Sequence, residues 1–150
     1  MSSFGCEYVI DNNTLGQLSS SQRASIFFRE HAHIPSEVLH EARGFPDIDE
    51  LQRNEYGTTT AVLSQLARIM ATVTATDTDL VDLYANRGNA DPLVVACALD
   101  GQDRDSQYLD APEWFIVTGD KAVRAKAEEF DLKVVTNSDF ALLIEASSEG

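Results

Sequence analysis

The stretch Tyr8-Val9-Ile10-Asp11-Asn12-Asn13-Thr14-Leu15 runs three β-prone apolar residues straight into an acid, two amides and a hydroxyl. A short, wholly apolar run reads as a strand buried on both faces, as in a parallel sheet covered by helices on each side. Asp11 then sits at the carboxyl end of that strand, the edge where open α/β sheets bind their ligands. A carboxylate there is costly to bury without a partner. The rest of the chain must supply the groups that share that mouth.

Working outward, Ser21 caps a helix expected over 22–30, with Ala24, Phe27 and Phe28 turned inward. His31 to Ile34 reads as a short second strand. Pro35 opens a helix to about Arg43, because its missing N–H is harmless in a first turn. Residues 47–56 are polar and without clear period. A strong amphipathic helix follows over 58–70, its apolar residues Val62, Leu63, Leu66, Ile69 and Met70 falling at helical spacing. Asp79 to Tyr84 reads as a shorter helix and 86–89 as a loop. Pro92 opens a helix that is apolar all round from Leu93 to Leu99, hence central and buried. Residues 100–113 read as a polar loop. Trp114 to Val117 is a strand, 121–130 a helix, Lys133 to Val135 a strand and 138–145 a final helix. This βα alternation predicts one α/β domain over residues 1–150, with three layers around a central parallel sheet.

The 150 residues suffice for one domain, and a hydrophobic fraction of 43% builds a core rather than a disordered chain. No apolar run approaches the roughly 20 residues of a membrane helix, and the N-terminus lacks the character of a signal peptide. A cytoplasmic protein with no membrane contact is expected. Cys6 and Cys97 have no metal-ligand spacing and read as reduced thiols. The net charge of -14 argues against nonspecific nucleic-acid binding by the whole surface, since neutralising phosphate takes Lys and Arg. It leaves solvated acids, acids gathered around metal, or a surface that meets a basic protein.

Four acids stand where the elements turn: Asp11, Glu41 in the helix after Pro35, Asp91 before Pro92, and Asp120 after the Trp114–Val117 strand. Asp91 and Asp120 also read as helix caps, and capping is compatible with metal binding because a helix N-terminus favours the ionised carboxylate. On a helical wheel at about 100° per residue, Val38, Leu39, Ala42 and Phe45 face inward and Glu41 flanks them. Glu37 lies farther round, toward water. Convergent carboxylates without nearby lysines repel each other, and a hard divalent cation relieves that repulsion. An all-oxygen set selects Mg²⁺ or Mn²⁺ over zinc. His31, His33 and His40 make no zinc pattern and read as surface or loop residues.

The order Val9-Ile10-Asp11-x-Asn13-x-Leu15, then Ile34-Pro35-x-x-Val38-x-x-Glu41, then Ala90-Asp91 with Ala96 and Ala98, then Val117-Thr118-x-Asp120, resembles the PIN domain. The closest likeness is to the VapC-type toxins of type II toxin–antitoxin pairs, over roughly residues 8–140. The resemblance implies a metal-dependent endoribonuclease that leaves a 5′-phosphate and a 3′-hydroxyl. Asp11, Glu41, Asp91 and Asp120 match its acids, with Glu41 holding Mg²⁺ or Mn²⁺ through water or positioning the attacking water. Asn13 and Thr118 match the polar residues that fix those carboxylates. Arg43 and Arg87, each near an acid, are candidates for contact with RNA phosphate. The implied partners are an RNA substrate, an antitoxin protein and a second copy of the chain. The segment 43–76 and the loop 100–113 are long for the family.

Two other classes remain open. A haloacid-dehalogenase-like phosphatase also carries a strand-end Asp and a late Gly-Asp, here Gly119-Asp120, but its nucleophile motif wants an acid where this chain has Asn13. A PIN-like fold can also serve as a binding or scaffold protein without catalysis.

Overall fold

The computed structural model describes residues 5–72 and 90–149, without the side chains of Ala90, Asp91, Ser148 and Glu149. Its centre is a five-stranded, wholly parallel sheet in the order β3-β2-β1-β4-β5. The strands are β1 (Cys6–Ile10), β2 (Ala32–Pro35), β3 (Glu55–Tyr56), β4 (Glu113–Val117) and β5 (Lys133–Val135). The sequence thus gives the α/β class and its parallel sheet correctly. Val9 and Ile10 are fully buried, as their unbroken apolar run requires. β1 pairs with β4 from Cys6 opposite Glu113 to Ile10 opposite Val117, so the two strands end level with each other.

Alternation along β1 splits the core in two. Tyr8 faces an aromatic layer, with ring centroids 5.2 Å from Phe115, 5.1 Å from Phe140 and 5.8 Å from Phe27. The helices on that side are α2 (Ser20–Arg23), α3 (Ile26–His31) and α9 (Asn137–Glu149). On the other side, Trp114 packs on His33 and Tyr56. There α6 (Thr60–Met70) lies beside α7 (Ala90–Asp105), whose residues Leu93 to Leu99 are all buried. Between strands lie α1 (Asn12–Gln17), α4 (Ser36–Glu41), α5 (Ile48–Leu51) and α8 (Lys121–Glu129).

Several elements differ from the sequence reading for local physical reasons. The helix expected over 22–30 is two, because Ser25 caps a new start by accepting from the Phe28 N–H at 3.2 Å. Ser19, not Ser21, caps the first, in a reciprocal capping box with Gln22. The polar stretch 47–56 holds α5, a 3₁₀ turn over Gln52–Asn54 and the edge strand β3. Asn54 carries that segment inward, its amide donating to the carbonyls of Phe28, Arg29 and Ala32 at the end of α3. The expected loop 100–113 begins instead as helix, since α7 runs on to Asp105. Polarity there marks contacts at the rim: Asp100 accepts from Tyr56 Oη at 2.6 Å and Asp105 from Trp114 Nε1 at 2.9 Å. Gly101 lets α7 lie against Trp114, because a Cβ there would stand 2.6 Å from the indole. The readings over Asp79 to Tyr84 and 86–89 lie outside the described residues. Among the described residues, no helix is long and apolar enough to cross a membrane.

This strand order creates a switch point. The chain leaves β1 toward β2 on one side, whereas β4 leads to β5 on the other. In open α/β sheets the carboxyl ends of the strands flanking such a point are where ligands bind. Asp11 and Thr118 to Asp120 are the residues that follow those two strand ends.

Candidate functional site

Asp11 follows β1 directly and caps α1, its Oδ1 accepting the Thr14 N–H at 2.8 Å. Its Oδ2 accepts from the Thr118 hydroxyl at the end of β4. Asp11 is 2% exposed, and both threonines are fully buried. Burial raises the Asp11 pKa above the usual carboxylate range, the bonds from Thr118 and Thr14 pull it down, and the negative charge of Asp120 raises it further. Among the described residues, no cationic side chain bonds to Asp11. A buried carboxylate with a raised pKa at a strand end is a candidate functional group, because its charge is costly to keep there without a partner.

Asp120 caps α8 with one oxygen, Oδ1 accepting the N–H groups of Ala122 at 2.8 Å and Val123 at 3.2 Å. Among the described residues, Asp120 Oδ2 accepts no hydrogen bond. The backbone N–H of Asp120 donates to Thr118 Oγ1 at 3.0 Å. One threonine hydroxyl thus joins the two acids: it donates to Asp11 and accepts from Asp120.

Thr14 and Asn137 complete the setting. The Thr14 hydroxyl donates to Asn137 Oδ1, and Val117 O lies 3.1 Å from it. Asn137 Nδ2 donates to Gln17 Oε1 at 3.0 Å. Sequence reading missed both Thr14 and Asn137. For Thr14 the signal was present, since an acid three residues before it has the spacing of a helix cap to the third helical N–H. For Asn137 there was none, because it meets Thr14 only through the sheet, 123 residues away.

The other expected site residues are distributed differently. Glu41 ends α4 and is exposed, with Val38, Leu39 and Ala42 buried beside it as the wheel predicts. Its pKa is raised by partial burial of the carboxyl and by repulsion from Glu37, and is lowered by His40. Glu37, expected in water, is half-covered. Residue exposure ranks Glu37 as the more covered of the two, whereas desolvation acts on the Glu41 carboxyl; the latter bears directly on charge. Asn13 is exposed, and the bonds that fix Asp11 come from Thr14 and Thr118. Arg43 is turned onto its own chain, donating to His40 O at 2.7 Å. Asp91 lies in the first described turn of α7, but its side chain and all of Arg87 lie outside the described residues.

The donor chemistry can be tested against a divalent cation. Asp11 and Asp120 are oxygen donors, and among the described residues each Asp11 oxygen keeps a lone pair beyond its one hydrogen bond and Asp120 Oδ2 accepts none. That set fits Mg²⁺ or Mn²⁺, which bind few carboxylates and retain several waters. It is a pair, not a cage: among the described residues, no three His, Cys, Asp or Glu side chains converge as metal ligands. Glu41 stands outside the pair.

His31 and His33 are not loop residues. His33 Nε2 lies 2.6 Å from Glu7 Oε1 in the sheet, and His31 Nδ1 lies 3.0 Å from Cys6 O. Cys97 is buried and its thiol is pushed up to about 12 by desolvation first and Asp100 second, which makes it a core residue rather than a nucleophile. Neither protein-family models nor curated proteins give a match to this chain.

Proposed function

We propose that this protein is a divalent-metal-dependent endoribonuclease of the PIN type, acting as the toxin of a type II toxin–antitoxin pair. The observation that carries the catalytic part of the reading is the Asp11–Asp120 pair at the switch point, joined by Thr118 and, among the described residues, bonded by no protein cation. In this reading Asp11 and Asp120 would hold Mg²⁺ or Mn²⁺, and the sequence resemblance adds Asp91 as a further acid. A divalent cation held there would supply Lewis-acid stabilisation of phosphoryl charge and a more acidic water. The protein's own work is positional. Thr118 and the Thr14 N–H fix the Asp11 carboxylate, and the α8 cap fixes Asp120. Glu41, exposed at the end of α4, acts on water at the rim rather than within the pair.

The toxin assignment rests on the sequence resemblance and on the net charge of -14, which suits a basic antitoxin segment. A second copy of the chain belongs to the same reading. Purified protein incubated with structured and unstructured RNA should cleave with Mg²⁺ or Mn²⁺ and stop on adding EDTA. Cleavage unchanged by EDTA would rule out the metal mechanism. Turnover of p-nitrophenyl phosphate without cleavage of RNA would favour a phosphatase. For the toxin role, coexpression with the product of the neighbouring gene should give a copurifying complex and restore growth.

A further inference from the structure

Asn137 opens the last helix, far in sequence from both acids, yet its side chain reaches the segment that orients Asp11. We infer that Asn137 is a positioning residue for the acid pair, acting on Asp11 through Thr14. The inference rests on the reading of Asp11 and Asp120 as the metal-holding groups.

The path is continuous. Asn137 Oδ1 accepts from the Thr14 hydroxyl. The Thr14 backbone N–H donates to Asp11 Oδ1 at 2.8 Å. Asp11 Oδ2 accepts from Thr118 Oγ1, which in turn accepts the Asp120 N–H at 3.0 Å. Four separate segments are thereby tied: the start of α9, the body of α1, the end of β1 and the end of β4.

α1 needs that tie. It has six residues, and a helix so short does not hold its own shape in water. Its placement must come from contacts outside itself. Asn137 holds it at two points, through Thr14 in its middle and Gln17 at its end. Gly119 leaves space for this grip, since a Cβ there would stand 3.4 Å from Asn137 Nδ2. A carboxylate ligand must be held to within about 0.5 Å to serve a metal site, which makes the support as consequential as the ligand.

Asn137 is also a clean target. The cap of α9 is Thr136, whose hydroxyl accepts the Asp139 N–H at 3.1 Å, so replacing Asn137 leaves the helix start intact. Asn137→Leu keeps the branching at Cγ and removes both polar atoms. Asn137→Asp keeps an acceptor for Thr14.

The test uses the full chain with Mn²⁺ alone as probe, with amide hydrogen exchange, thermal melts and RNA cleavage alongside. Asn137→Leu should melt within a few degrees of wild type, exchange the Thr14 N–H faster, and bind Mn²⁺ about tenfold more weakly. Its kcat on RNA should fall by a similar factor at unchanged KM. Asn137→Asp should restore both Thr14 protection and Mn²⁺ affinity to near wild type. Wild-type Thr14 protection and Mn²⁺ affinity in Asn137→Leu would overturn the inference, as would an equal loss in Asn137→Asp. If wild type binds Mn²⁺ but cleaves no RNA, the ribonuclease reading fails while weakened Mn²⁺ binding in Asn137→Leu still supports the positioning role. If wild type binds no Mn²⁺, both fail.

Discussion

Asp47 and Asp11 are two carboxylates set against the same core with opposite electrostatics. Asp47 meets Arg23 in a two-point clasp, Nε to Oδ2 at 2.9 Å and Nη2 to Oδ1 at 3.0 Å. The same guanidinium donates to Leu18 O at 2.6 Å and lies over the Phe45 ring. The Arg23 hydrogen bonds hold the Asp47 carboxyl below its ordinary pKa, against a smaller effect of burial. Asp11 is more deeply buried, its donors among the described residues are neutral, and Asp120 repels it, so its pKa moves the other way. The first acid is an internal staple whose charge is answered within the chain. The second has no cationic partner among the described residues.

The largest consequence concerns activity. Asp11→Asn should reduce RNA cleavage by on the order of 10²- to 10³-fold, since it removes charge where charge is stabilised. Asp47→Asn, assayed below its melting temperature, should leave turnover near wild type. Equal losses in the two would erase the contrast. Next in size, Glu41→Gln should lower turnover about tenfold, as for a group that acts from outside the pair. Glu37→Gln should change it little, and stability by no more than about 0.5 kcal/mol. If Glu37→Gln is the weak variant and Glu41→Gln is normal, the functional face of α4 is the other one.

Stability separates the acids by sign. Asp47 has a folded pKa below its unfolded one, so its contribution is present above the unfolded pKa and is lost as pH falls through the folded pKa. Asp47→Asn should therefore cost about 2 kcal/mol at pH 7, as for a hydrogen bond between charged groups, and less in acid. Asp11 has a folded pKa above its unfolded one, so it destabilises metal-free protein progressively as pH rises through that pKa. The smallest effect expected is that Asp11→Asn raises the melting temperature by about 2–4 °C at pH 7 without metal, and less toward pH 4. Urea or thermal melts of both variants at several pH values measure each sign.

Much of this contrast was legible in the sequence. The apolar run ending at Asp11 and the Val117-Thr118-x-Asp120 stretch marked the two strand ends, because burial and turn chemistry are local. The clasp between Arg23 and Asp47 was not legible: it joins a four-residue helix to a polar stretch without period. Nor was Asn137, whose partner lies across the sheet. The length of α7 was misjudged because Asp100, Gly101 and Asp105 read as loop residues. Their use depends on Tyr56 and Trp114, which composition does not reveal.

In the proposed reading, Asp11 and Asp120 together hold a divalent cation. Titration of metal-free protein with Mn²⁺, followed by calorimetry, tests it without any substrate. Wild type and Asp47→Asn should bind with equal affinity, while Asp11→Asn and Asp120→Asn, the latter keeping its cap to α8, should each bind at least about tenfold more weakly. Binding that is absent in wild type, or undiminished in both Asp11→Asn and Asp120→Asn, would contradict the account.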